Sequence, residues 1–142
     1  MNSNQQLAAI ATNSSNYEDI ANQIAPRNRR RILDALADGS DYLQMKKLMG
    51  GVKFKVWLKS MGKTAAEAMK YAKLYQVFAN FPIESLAQLS LPTLFALCQK
   101  RYQQLVALLQ SLPAQTEVQV QQLMNQERER VWSKPVGGDE RS

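Results

Sequence analysis

The residues best equipped for chemistry are cations: Lys53, Lys55, Lys59, Lys63, Lys70 and Lys73, preceded by the run Arg27, Arg29, Arg30 and Arg31. The net charge is +6, and its distribution says more than its total. Twelve Lys/Arg stand against four carboxylates between Arg27 and Lys73, a balance of +8; the rest of the chain has six against eight, a balance of −2. A local field of that sign attracts polyanions and speeds encounter with them. An ammonium is a point charge without a planar fork, so lysines of this kind contact phosphate more readily than base edges.

Other chemistries lack their parts. The chain has no histidine, the commonest general base and metal ligand, and its single cysteine, Cys98, allows neither an intrachain disulfide nor a structural zinc site. Gly50-Gly51 and Gly137-Gly138 lack the spacing of a phosphate-cradling loop. The acidic pairs Asp38/Asp41 and Glu127/Glu129 flank a helix boundary and sit in a charge run, where solvated carboxylates are the rule. A non-catalytic protein without cofactor, metal or small-molecule substrate is expected.

Two helices joined by a tight turn must position the lysines. In the first, Phe54, Trp57, Leu58 and Met61 fall at i, i+3, i+4 and i+7, one apolar stripe, with Lys53, Lys55 and Lys59 off it. Gly62 permits the turn. Thr64 with Glu67 three residues on has capping-box spacing and opens the second helix. Tyr71, Leu74, Tyr75 and Phe78 share one face of that helix; Ala66, Lys70, Lys73 and Val77 share the opposite one. Lys63 stands just before it. Two helices, a glycine turn and a basic outer face suggest a helix-turn-helix over 51–80, with Trp57 packed near Tyr71 and Phe78.

The remaining elements read as helices too. Ser15 and Glu18 open one that runs to about Ala25; Pro26 separates it from a second, Arg27 to about Asp38, which Gly39 closes as a C-cap. Ser40 or Asp41 caps a third short helix before Gly50-Gly51. A proline after Phe81 ends the helix pair. A short helix over 82–89 follows, then a long one from about Ser90 to Leu112, stopped by Pro113, and a last one from about Thr116 to Trp132. No segment alternates like a strand. With 142 residues and 45% hydrophobic composition, the expectation is one all-α domain of six or seven helices around a central helix-turn-helix-like pair. It spans 15–132, with a C-terminal helical part over 82–132, a flexible polar N-terminus over 1–14 and a disordered tail over 133–142. Leu94, Leu97, Leu105, Leu108, Leu109 and Leu112 would spread around much of the long helix, so a homodimer through the C-terminal helices is expected.

The segment G-x-x-F-x-x-W-L, here Gly51, Phe54, Trp57 and Leu58, resembles a family of plasmid- and phage-borne bacterial proteins that carry an uncharacterised helix-turn-helix domain. The run Gly62, Thr64, Ala65, Ala66, Tyr71, Lys73, Leu74 and Phe78 continues the match, which covers about 30 residues. The resemblance implies DNA binding linked to maintenance or regulation of a mobile element. Where the family has Arg or polar residues just after the cap, this chain has Ala65 and Ala66. Alanine can touch a thymine methyl but makes no bidentate hydrogen bond to a base.

The function expected is therefore binding of duplex DNA through Lys53, Lys55, Lys59, Lys63, Thr64, Ala66, Lys70, Lys73, Arg29 and Arg30. Two alternatives belong beside it: a protein-interaction adaptor whose apolar C-terminal helices dock a partner, and an RNA-binding protein. A membrane partner is not expected, because no 18-residue apolar run exists and no helix is both strongly basic and strongly amphipathic. The opening MNSNQQLAAIATNSSN is no secretory signal, which makes the cytoplasm the expected location.

Overall fold

The computed structural model describes residues 15–133, so the flexible N-terminus expected over 1–14 and the tail from 134 lie outside the described residues. Seven α-helices and one 3-10 turn make an all-α domain, with no strand among the described residues. The order is α1 (Ser15–Met49), α2 (Gly51–Ser60), α3 (Ala65–Phe78), α4 (Ile83–Leu86), α5 (Leu91–Leu97), a 3-10 turn (Lys100–Tyr102), α6 (Gln103–Ser111) and α7 (Glu117–Ser133).

The first difference from expectation is α1. One helix of 35 residues replaces the three expected, with Pro26 inside it. A proline removes one hydrogen bond of the helical ladder. Residues 21–27 are all exposed, so the carbonyl left free faces water at little cost. Gly39 is not a C-cap. It is buried where α1 crosses α3, and a Cβ there would stand 2.2 Å from the Tyr71 carbonyl oxygen and 2.9 Å from Tyr75 Cβ. The glycine serves close backbone approach, a demand set by another helix. Left-handed backbone occurs instead at Gly50 (φ 82°), which separates α1 from α2, and at Gly62 (φ 73°), in the turn to α3.

Helix α3 runs back along α1. Tyr42 meets Tyr71, Gly39 meets Tyr71 and Tyr75, and Asn28 donates from Nδ2 to the carbonyls of Ala87 and Leu89, each at 2.8 Å. The numbers fall on α1 as they rise on the partner segment, which defines an antiparallel pair.

The second difference lies in the C-terminal half. The single helix expected over 90–112 is broken after Leu97 and restarts through the 3-10 turn. The break brings Leu94, Leu97, Leu105 and Leu109 into one core, around a buried Tyr102 whose hydroxyl accepts from Arg128 at 2.6 Å. Leu112 packs against that core, and of the six leucines Leu108 alone is exposed, at 47%. The apolar surplus that suggested a dimer is covered within one chain, Leu108 excepted.

Ser90 caps α5 by accepting from the Thr93 amide at 3.3 Å, and the Glu117 carboxylate at the start of α7 accepts from the Ser90 amide at 2.9 Å, from the Thr93 hydroxyl and from Gln121 at 3.2 Å. Burial by itself would raise the Glu117 pKa. The bonds from Thr93, Ser90 and Gln121 outweigh it and hold the carboxyl below its ordinary range.

Two cores result. The large one joins Ile32 and Ala35 of α1, Leu74 and Phe78 of α3, and the inward residues of every later element. The small one, Phe54, Leu58 and Ala68, lies where the end of α1, α2 and the start of α3 meet, with Tyr42, Met45, Trp57 and Ala65 packed around it.

Candidate nucleic-acid interface

The small core carries a three-helix head: the last turns of α1, all of α2 and the first turns of α3. Helix α2 buries Phe54 and Leu58, which turns Lys53, Lys55 and Lys59 to solvent as expected. The turn to α3 also forms as expected. The Lys63 amide donates to the Leu58 carbonyl at 2.9 Å, and Thr64 Oγ1 accepts from the Glu67 amide at 3.0 Å. The Glu67 carboxylate lies 4.0 Å from the Lys63 ammonium, so Lys63 is the one head lysine with an ion pair among the described residues. Thr64 and Ala66 are exposed beside it.

Lys46 and Lys47 belong to the same head, though the residue types alone did not single them out. They end α1, where Gly50 donates back to the Lys46 carbonyl at 2.9 Å. Cations are favourable at a helix C-terminus, which accounts for them locally. The signal that could have found them is the adjoining Gly50-Gly51, which puts the end of one helix next to the start of another. From Lys46 to Lys73 the chain has eight lysines against one carboxylate, Glu67, and no arginine between Arg31 and Arg101. Guanidinium readout of guanine is thus absent from the head, and ammonium contact with phosphate is what its residue types allow.

The structure does not gather every expected residue. Lys70 places its ammonium 4.2 Å from the Phe95 ring centroid, and Lys73 lines a cleft with Leu97, Cys98 and Lys100. Both sit on the exposed stripe of α3, with Ala66, Met69 and Gln76, but their neighbours are α5 and the 3-10 turn, not α2. Helix α3 is flanked by α1 and α5, so its exposed stripe is narrow. Arg29 pairs with Glu84 at 2.9 Å, and both are largely exposed, a pair that contributes little. Antiparallel packing puts Arg29 and Arg30 beyond the far end of α3, roughly 20 Å from the head by helical rise.

Trp57 also departs from expectation. It is half-buried and stacks on Phe54, with ring centroids 6.1 Å apart, while Phe78 sits in the large core. Tyr71 reaches the head through Tyr42 (6.3 Å), and Tyr42 touches Phe54 (6.4 Å). On its other side Tyr71 meets Phe95 at 5.2 Å, so a chain of rings links the two cores. Val52 and Val56, one turn apart on the outer face of α2, are 80% and 66% exposed among the lysines.

Among the described residues no group of three His, Cys, Asp or Glu could hold a metal ion, and no helix is long and apolar enough to cross a membrane. Fold and surface together define an all-α domain with a basic three-helix head on a larger apolar body. The chain belongs to the Alr2735 N-terminal domain family, whose model matches residues 33–128. The match takes in Gly39, the head and nearly all of both cores, and leaves out the Arg27–Arg31 run. No curated protein and no solved structure matches the chain.

Proposed function

We propose that this is a non-catalytic duplex-DNA-binding domain that grips the phosphate backbone with the lysines of its head. The observation that carries the reading is the all-lysine charge on a compact three-helix unit: Lys46, Lys47, Lys53, Lys55 and Lys59 are exposed and have no ion pair among the described residues, and Lys63 is engaged by Glu67. Ala65 and Ala66 at the start of α3, and the narrow stripe that α1 and α5 leave open on it, favour backbone contact over base readout. Binding is thus largely independent of sequence. A role in maintaining or regulating a plasmid or phage is part of the same proposal and rests on the G-x-x-F-x-x-W-L resemblance.

The test is fluorescence anisotropy with a labelled duplex DNA of random sequence, a duplex RNA of the same length, and both in competition. Saturable binding to DNA at low salt, little changed by scrambling the sequence, is the expected result. Preference for RNA would move the assignment to the RNA-binding alternative. No binding to either would leave a protein-interaction adaptor.

A further inference from the structure

A cleft of about 430 Å³ opens beside α3, on the side away from α1, where the end of α5, the 3-10 turn and the start of α6 form its other walls. Val77, Leu97 and Val106 give it an apolar surface. Its polar lining is Lys73 from α3, Lys100 and Gln99 from the 3-10 turn and its cap, and Gln103 from α6, with no carboxylate among the lining residues. Neither lysine takes part in an ion pair of the described chain. The Gln99 side-chain oxygen accepts from Arg101 Nε at 3.0 Å, which leaves its NH2 group to donate. Two lysines from different elements thus line one cleft whose other lining residues carry no negative charge.

The geometry points to a binding site for a small organic anion, a phosphate or carboxylate head on an apolar body. A cleft of this volume has the size of ordinary ligand pockets, which pair an apolar lining with a few polar groups that orient the ligand. Lys73, Lys100 and the Gln99 amide would take the head; Val77, Leu97 and Val106 would cover the body. Low-dielectric walls strengthen the attraction of two like charges for an anion. Cys98 lines the same cleft, but burial pushes its thiol up to about 11 against the pull of Lys73, so it stays protonated and serves as contact surface. The site is separate from the head lysines, so this inference and nucleic-acid binding stand or fall independently.

The experiment is a titration of the 15N-labelled chain, without nucleic acid, with phenyl phosphate, benzoate, inorganic phosphate and phenol. Phenyl phosphate or benzoate should give saturable amide shifts confined to residues 73–77 and 97–106, and the tighter of the two identifies the head group. Inorganic phosphate and phenol, each half a ligand, should bind at least tenfold more weakly. Lys73→Gln and Lys100→Gln, both exposed positions that leave the fold intact, should each weaken binding about tenfold, the usual scale of a charge-assisted hydrogen bond. Gln103→Glu, which places a carboxylate in the lining while suiting the first turn of α6, should abolish it. Shifts that do not saturate, that centre on Lys46–Lys59, or that persist in all three variants would overturn the site.

Discussion

The head and the body of this domain are built from opposite materials. The body buries fourteen residues in one cluster, most of them Leu, Phe and other large apolar types, and draws on every helix except α2. The head buries three, Phe54, Leu58 and Ala68, and surrounds them with half-buried rings and exposed lysines. Area removed from water is the main stabilising term, so the head contributes the smaller share and should open locally before the body does. The comparison teaches a division of labour. Charge that would repel itself in a compact core is tolerated on a small unit held to a large one by α1 and α3, which run through both, by Gly39 at their crossing, and by the ring chain from Trp57 to Phe95. Binding surfaces commonly sit on such low-stability parts of a fold.

Truncations should sharpen that contrast. Phe78→Ala, in the centre of the body, should cost about 3–5 kcal/mol and lower the denaturation midpoint of the whole chain. A midpoint within experimental error of the parent would mean that the body does not dominate stability. Gly39→Ala comes next. Its methyl would overlap a backbone carbonyl, which cannot rotate away, so roughly 2–3 kcal/mol is expected from overpacking, and both regions should weaken together because the residue sits at their crossing. A neutral effect on chemical denaturation would show that α1 and α3 can separate without loss.

Acid should weaken the body through Glu117. The Glu117 carboxyl is held below its ordinary range, so the stability it supplies is complete above the unfolded-state value, near 4.5, and is lost as pH falls through the lower folded value. Glu117→Gln should therefore be less stable than the parent at neutral pH and lose less between pH 5 and pH 2, read by denaturation at each pH. Parallel curves for parent and variant would contradict the hydrogen-bonded arrangement. The smallest effect belongs to the head. Trp57 is half-buried on Phe54, so Trp57→Ala should cost about 1–2 kcal/mol. It should speed amide exchange in α2 and leave α5–α7 protected. Uniformly faster exchange would mean that head and body unfold as one.

Legibility in the sequence followed the reach of each signal. The helix pair was readable almost to the residue, because Gly62, the Thr64 cap and the i, i+3, i+4 stripe are local facts about local structure. The all-α class followed from the same periodicity. Pro26 and Gly39 misled because breaker rules are local and the outcome was not. Pro26 is tolerated where its neighbours face water, and Gly39 is required by the backbone of a helix more than thirty residues away. The break after Leu97 carries neither glycine nor proline, and the leucines on either side needed it to meet one core. At the candidate interface the lysines were legible one by one, Lys46 and Lys47 excepted. Their grouping was not, since it depends on how the helices pack: Lys46 and Lys47 join the head, Lys70 and Lys73 turn toward α5, and Arg29 and Arg30 lie at the far end.

The central claim is that duplex DNA is held by the lysines of the head, and the salt dependence of affinity tests it most directly. Each phosphate neutralised adds about 0.9 to the slope of log affinity against log salt. Three variants suffice: the parent, the triple Lys53→Ala, Lys55→Ala, Lys59→Ala, and the double Arg29→Ala, Arg30→Ala. The slope should flatten by about three units in the triple variant and stay unchanged in the double. An unchanged slope in the triple variant, or a larger loss in the double, would contradict that claim.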